Sequence, residues 1–400
     1  MPYNSFNSRR PQRGGRYNTN RPQRSNSRRG SKENINPSRF IKAAKVVAES
    51  APYEAKHTFN DFNLESGLRT NIEAKGFKIP SPIQDQSIPV GLSGRDVIGI
   101  ANTGTGKTIA FAIPVLQKLM TDKTSKVIIM APTRELAQQI EDEIRGLAKN
   151  SGLFGALLIG GTPMGPQLRD LSFKPRIILG TPGRIKDHLE RGSLNISEFN
   201  MVVLDEVDRM LDMGFVDDMR TILGLLASNR QSFFFSATLD HKVNALIRDF
   251  SADPETISVK SGDTTDTVEQ NVVTYSSKSQ KVDKLHDLLI DTKVSKALVF
   301  DETQRSVERL SNDLIARGFS ADAIHGGKSQ GQRQRALNRF KASQINILVA
   351  TDVAARGIDV SDITHVINFS TPQTYTDYVH RIGRAGRAGK TGYAITFIEA

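Results

Sequence analysis

From about Phe59 onward the chain alternates short β-branched apolar runs with longer stretches of helical period. The runs fall at 97–100, 126–130, 156–159, 176–179, 201–204 and 232–235, and helical stretches such as 135–149 lie between them. Alternation of this kind predicts a parallel sheet covered by helices on both faces. Residues 258–270 interrupt the pattern with Gly, Thr and Asp and little apolar content, which marks a linker. A second series follows at 297–300, 321–324, 345–350, 365–369 and 393–397, with helical periods at 304–317 and 332–341. The prediction is an α/β chain of two tandem lobes, 59–257 and 271–400, preceded by a connecting segment at 41–58. Ligands of open α/β sheets bind beyond the carboxyl ends of the strands, so two such lobes can build one site between them.

Length and composition agree with two domains and a tail: 400 residues, 38% of them hydrophobic. Charge is distributed unevenly. Residues 1–40 hold nine arginines and Lys32 against Glu33 alone, which accounts for nine of the eleven net positive charges. With few apolar residues to bury, this Arg-, Asn-, Ser- and Gly-rich tail is expected to be disordered. Tyr3, Phe6 and Tyr17 are scattered among its arginines, a mixture that suits a low-specificity nucleic-acid tether as well as a purely solubilising tail. The absence of cysteine excludes disulfides and thiolate metal sites, and the seven histidines form no ligand-spaced cluster, so no zinc is expected. There is no amino-terminal apolar signal and no run of about 18 apolar residues, so no membrane association is expected and a cytoplasmic location follows.

Three constellations carry chemistry. Ala101-Asn102-Thr103-Gly104-Thr105-Gly106-Lys107-Thr108 lies between a predicted strand and a predicted helix. Glycines there let backbone N–H groups point into one concavity, the helix start adds partial positive charge, Lys107 can reach the outer phosphates, and Thr108 is placed to hold Mg²⁺. About 100 residues on, the apolar run 201–204 ends in Asp205 and Glu206, an acid for the metal side and a general base for water. In the second lobe, Arg381, Arg384 and Arg387 recur every third residue after His380. Guanidinium groups so presented can stabilise the charge of phosphoryl transfer, and because they come from the other lobe, hydrolysis would require closure.

Together these residues resemble the DEAD-box RNA helicases of helicase superfamily two, over roughly residues 59–398. The resemblance implies a RecA-like fold for each lobe. Residues 76–84 resemble the adenine-reading Q motif with Phe59 upstream, so Gln84 and Phe59 are expected to select adenine and ATP is the expected nucleotide. Thr103, Gly104, Thr105, Gly106, Lys107 and Thr108 would hold its phosphates, and Asp359 its ribose. Segments 132–137, 160–161 and 181–184 match RNA-contacting motifs of the first lobe, which nominates Arg134, Gly161, Thr181 and Arg184 as phosphate contacts. Gln330 with Arg333, and Thr351, play that part in the second lobe. Ser236 and Thr238 resemble the motif that relays a shift to Asp208, and His380 is expected to join an interlobe network with Arg381 in support. Arg384 and Arg387 take the arginine-finger positions, while Lys107, Asp205 and Glu206 complete the catalytic set with ATP and Mg²⁺ as cofactors.

Departures from the family pattern are few. Val207 stands where Ala is usual, so the signature reads Asp-Glu-Val-Asp; Asp301-Glu302 replace a frequent Cys-Asn pair; and no closing helix follows the strand at 395–398, so that strand is expected to be partly uncovered unless the chain is truncated. The resemblance implies RNA, single-stranded or in short duplexes, as partner, with ribosomal or messenger ribonucleoproteins open as targets. An ATP-gated RNA clamp needs every one of these motifs too, and a translocating DNA helicase is disfavoured by the Q motif and residues 132–137.

Overall fold

The computed structural model describes residues 35–44, 53–102, 104–259, 266–291, 293–355, 360, 362–386 and 391–400. In the first lobe the strands are β1 (Val97–Ile100), β2 (Val127–Met130), β3 (Gly155–Leu158), β4 (Ile177–Gly180), β5 (Met201–Leu204), β6 (Gln231–Ser236) and β7 (Glu255–Ser258). Its helices are α1 (Ser66–Ala74), α2 (Pro82–Leu92), α3 (Lys107–Thr121), α4 (Arg134–Leu147), α5 (Met164–Ser172), α6 (Pro182–Glu190), α7 (Val207–Asp212), α8 (Val216–Gly224) and α9 (His241–Phe250). The second lobe runs β8 (Val268–Tyr275), α10 (Lys278–Ile290), β9 (Ala297–Phe300), α11 (Gln304–Ala316), β10 (Ala321–Ile324), α12 (Gln330–Lys341), β11 (Ile347–Ala350), α13 (Asp352–Ala355), β12 (His365–Asn368), α14 (Tyr375–Ile382) and β13 (Gly392–Glu399).

Both sheets pair in parallel throughout. Their orders are β3-β4-β2-β5-β6-β1-β7 and β10-β11-β9-β12-β13-β8. Central strands such as β1, β2 and β5 are buried along their whole length, which is why they read as continuous apolar runs. Two hydrophobic clusters cover the faces of each sheet. On β1 a side chain at Gly99 would put a Cβ 2.4 Å from the Phe235 ring, so glycine there lets β6 pack against it. Helix α4 starts where the Thr133 hydroxyl accepts from Leu136 N at 3.2 Å, an N-cap.

Strands of the two sheets end at Ser258 and resume at Val268, inside the segment expected to link the lobes. β13 lies between β12 and β8 with Ala394 and Phe397 fully buried, while Ile395 and Ile398 on the strand's other positions keep partial exposure. Val207, at the departure from the family signature, is fully buried beside Met210 in the same cluster. The basic tail lies outside the described residues through position 34. From Ile35 to Phe40, also expected to be disordered, the chain is instead structured against the second lobe, because Ile35 and Phe40 supply apolar anchors that the residues before them lack.

Candidate active site

A cleft of about 470 Å³ opens between the lobes, within the size range of ligand sites. Gly104, Gly106, Lys107, Thr108, Gln84, Phe77, Asp205 and Glu206 line it from lobe 1, and Arg384 from lobe 2. Gly104 and Gly106 adopt φ of 82° and 91°, a region that side chains disfavour. An added Cβ at Gly106 would sit 2.2 Å from Gln84 Nε2 and displace that amide. That amide donates to the Gly106 carbonyl at 3.1 Å, its oxygen accepts from Ser81 N at 2.9 Å, and the Ser81 hydroxyl donates to the Thr105 carbonyl at 2.7 Å. The expected adenine-reading segment therefore also braces the phosphate loop. Lys107, buried at the start of α3, donates to the Ala101 carbonyl at 3.0 Å. Phe59 lies 4% exposed in the core against Phe62, and Phe77 rather than Phe59 reaches this cleft; both rings border an adjoining hollow of about 370 Å³.

Asp205 and Glu206 sit side by side at the carboxyl end of β5. Burial pushes the Asp205 carboxyl up to about 6, against the pull of Lys107 and with added repulsion from Glu206. Burial opposes charge on Glu206 too, but Arg209, Lys107 and Arg384 outweigh it and hold its pKa below the ordinary glutamate value. The strongest partner is Arg209, whose Nη1 lies 2.5 Å from Glu206 Oε2 with both side chains buried. Asp208 closes the next link. Its carboxylate accepts from Ala237 N, Thr238 N and the Thr238 hydroxyl at 3.1, 2.9 and 3.0 Å, and its own N–H donates to the Ser236 hydroxyl at 3.3 Å.

Beyond the cleft, Arg134, Arg184 and Arg333 come close enough that the last two, together with burial, lower the pKa of Arg134. Such crowding of guanidinium groups is an anion-seeking surface. Arg134 lies over the turn at Gly160 and Gly161. A φ of 73° favours glycine at Gly161, and a Cβ there would displace the Arg134 guanidinium, whose Nη1 it would meet at 1.9 Å. Thr181 begins α6 and Thr351 precedes α13, both buried at the carboxyl ends of strands. Arg333, expected only as an RNA contact, also reaches across the lobes: its Nη2 is 2.7 Å from the buried Glu135 carboxylate, and Gln330 Nε2 is 3.5 Å away. Arg381 donates to Asp352 at 2.6 and 2.7 Å, to Asn368 and to the Ser370 carbonyl, all in lobe 2; this bidentate fork braces its own lobe while the residue lines the interlobe recess. His380 borders the small interlobe recess that also holds Arg209 and Arg384. Thr103, Asp359 and Arg387 lie outside the described residues.

Arg209 and Glu135 are the residues that reading the sequence missed. Arg209 stands three positions after Glu206 at a helix start, a spacing that predicts such a pair, whereas nothing local pairs Glu135 with a residue 198 positions away.

The fold and cleft define a two-lobed phosphate-loop protein whose cleft is completed from the second lobe. Comparison with known proteins sharpens this class. The DEAD/DEAH box helicase family matches residues 81–246, and the helicase conserved C-terminal domain matches 280–389. The DEAD-box ATP-dependent RNA helicase CshA of Bacillus subtilis is 45% identical over 342 residues, 85% of this chain and 69% of that protein. Among solved structures, Mss116p bound to ssRNA and AMP-PNP superposes with a TM-score of 0.77 at 31% identity, over 87% of this chain and 76% of that one. Dbp5 of S. cerevisiae bound to RNA and ADP BeF3 gives 0.75 at 27%, over 86% and 90%. The chain belongs to the family of DEAD-box ATP-dependent RNA helicases.

Proposed function

We propose that this RNA helicase couples RNA-stimulated ATP hydrolysis to local, largely sequence-independent unwinding of short RNA duplexes or remodelling of RNA–protein particles. The observation that carries the reading is the meeting of Lys107, Glu206 and Arg384 in one cleft formed by both lobes. ATP bound there would place its phosphates against the loop 103–108 and Lys107, with Gln84, Phe77 and Phe59 around the base and Asp359 at the ribose. Glu206, ionised and oriented by Arg209, holds the attacking water and takes up its proton. Arg384, with Arg387, stabilises the charge that develops as the γ-phosphoryl group transfers, which ties hydrolysis to lobe closure.

The donors beside the phosphate loop suit Mg²⁺. Thr108 and Asp205 offer oxygen only, and among the described residues no group of three His, Cys, Asp or Glu could hold a metal by itself, in keeping with an ion that takes its other ligands from phosphate and water. When bound, it would neutralise phosphate charge. RNA would lie on Arg134, Gly161, Thr181, Arg184, Arg333 and Thr351, groups suited to phosphate and sugar rather than to base edges, and contacts to the 2′-hydroxyl would favour RNA over DNA. Asp208, bonded to Ser236 and Thr238, links that surface to the cleft, and His380 completes the link from lobe 2.

Steady-state ATP hydrolysis with and without single-stranded RNA tests the reading, together with displacement of a strand from a short duplex. Hydrolysis should rise with RNA, and Glu206→Gln should bind ATP and RNA while losing turnover. Hydrolysis indifferent to RNA, or a normal rate in Glu206→Gln, would contradict it.

A further inference from the structure

Before lobe 1 begins, the chain is anchored on lobe 2. Pro37–Phe40 forms a single 3-10 turn capped by the Asn36 side chain, which accepts from Ser38 N at 3.0 Å. Phe40 is buried with its ring centroid 4.7 Å from that of Tyr378, and the Arg39 guanidinium lies 3.7 Å over the Tyr375 ring. Both tyrosines belong to α14, the helix that ends two residues before Arg384. Lys42 exchanges both backbone hydrogen bonds with Gln270 on β8, at 3.0 and 2.8 Å, and its amine lies 2.7 Å from Asp266. Gln270 in turn accepts from the Tyr378 hydroxyl at 2.9 Å, and Thr267 donates to the Gly386 carbonyl at 3.0 Å. One network thus joins this segment, the end of the interlobe connection and the turn that carries Arg384.

Residues 53–57 lie on lobe 1 beside the cleft. The Tyr53 hydroxyl lies 2.5 Å from the Asp85 carboxylate, which also accepts from Lys56 N and His57 N at 2.8 and 3.1 Å. Asp85 is the neighbour of Gln84 on α2. Residues 35–42 thus pack beside the helix that precedes Arg384, and residues 53–57 beside the helix that carries Gln84.

We propose that residues 35–44 form a strap across lobe 2, and that Phe40 and Arg39 are positioning residues which hold α14 so that Arg384 meets the phosphate. A displacement of about 1 Å at a catalytic group can slow a reaction by a large factor. The inference rests on the role proposed above for Arg384. A strap that merely covered the edge of β8 would change stability and leave the chemical step alone.

The test uses the full chain with single-stranded RNA at saturation, measuring kcat, the KM for ATP and the melting temperature. Phe40→Ala and the exposed-site variant Arg39→Ala should lower kcat, the former on the order of tenfold, with KM for ATP nearly unchanged, and Phe40→Leu should recover most of the activity. Activity within about twofold of the unaltered chain in both Phe40→Ala and Arg39→Ala overturns the strap while leaving the proposed function intact. So does a fall in kcat for Phe40→Ala that only follows a smaller folded fraction while Arg39→Ala is silent. Absence of RNA stimulation in the unaltered chain overturns both.

Discussion

Glu206 is held at φ 54° and ψ 54°, a left-handed conformation that a glutamate adopts only when its surroundings impose it. Here the imposition comes from β5 on one side, α7 on the other, and the buried bond to Arg209. The strain aims the carboxylate into the cleft. Removing Arg209 leaves that carboxylate buried with weaker compensation from Lys107 and Arg384, so its pKa must rise. Arg209→Ala is therefore expected to lower kcat on the order of ten- to a hundredfold, and to move the acid limb of the kcat–pH profile to higher pH, since the base is protonated over a wider range. An unshifted limb would show that Arg209 does not tune Glu206. At this scale Lys107, Asp205, Glu206 and Arg384, which line one cleft, were nominated from residue type and spacing, because a phosphate loop and its acids recur at strand ends. The i,i+3 spacing of Arg209 from Glu206 allows their pair, but its burial was not legible, since an arginine in a helix reads as a solvated charge until its exposure is known.

Between elements, Asp208 ties the first turn of α7 to the residues that follow β6. Three donors on one carboxylate make that link stiff, and it joins the strand end bearing Glu206 to the segment after Ser236. Asp208→Ala should cost about 1–3 kcal/mol of stability in denaturant unfolding. It should also bring the RNA-stimulated rate down toward the rate without RNA, leaving that lower rate unchanged; full stimulation would dissociate the link from coupling. The pairing of the two hydroxyls with Asp208 was anticipated from sequence, as were most helices and strands. β7 and β8 were not. Glu255–Ser258 is four residues long with polar ends, and β8 lies on a sheet edge where exposed and buried positions mix; neither shows the continuous apolar run that marks the central strands.

Across the whole molecule, the Arg333–Glu135 pair is a buried ion pair between the two lobes, which part and close in the cycle proposed above. Within a single core, loss of one partner would leave a stranded charge and destabilise by about 3–5 kcal/mol. Here the stranded group can instead be hydrated by opening the cleft, so the penalty falls on closure rather than on folding. Arg333→Met is expected to reduce the closed population seen by fluorescence transfer between the lobes, with ATP analogue and RNA present, while the melting temperature shifts little. Combining it with Glu135→Gln should recover part of the closure, because the uncompensated charge is gone; an additive loss would reject this account. If the strap acts as inferred, its variants will lower kcat through a different route, the placement of α14.

Sequence alone determined the class of protein, the α/β alternation and the two lobes, and it nominated most of the residues that line the cleft, since each of those signals is local. Strand periodicity, a glycine-rich turn and a pair of acids after an apolar run can be read within some ten residues. Tertiary structure decided which groups meet: Arg333 with Glu135, Arg384 with the phosphate loop, Arg381 with Asp352 inside its own lobe, and Phe40 with a helix more than 330 positions further along. Those contacts depend on the burial and relative placement of distant segments. No local pattern of charge or hydropathy encodes them, and the free energy that selects them belongs to the packed molecule.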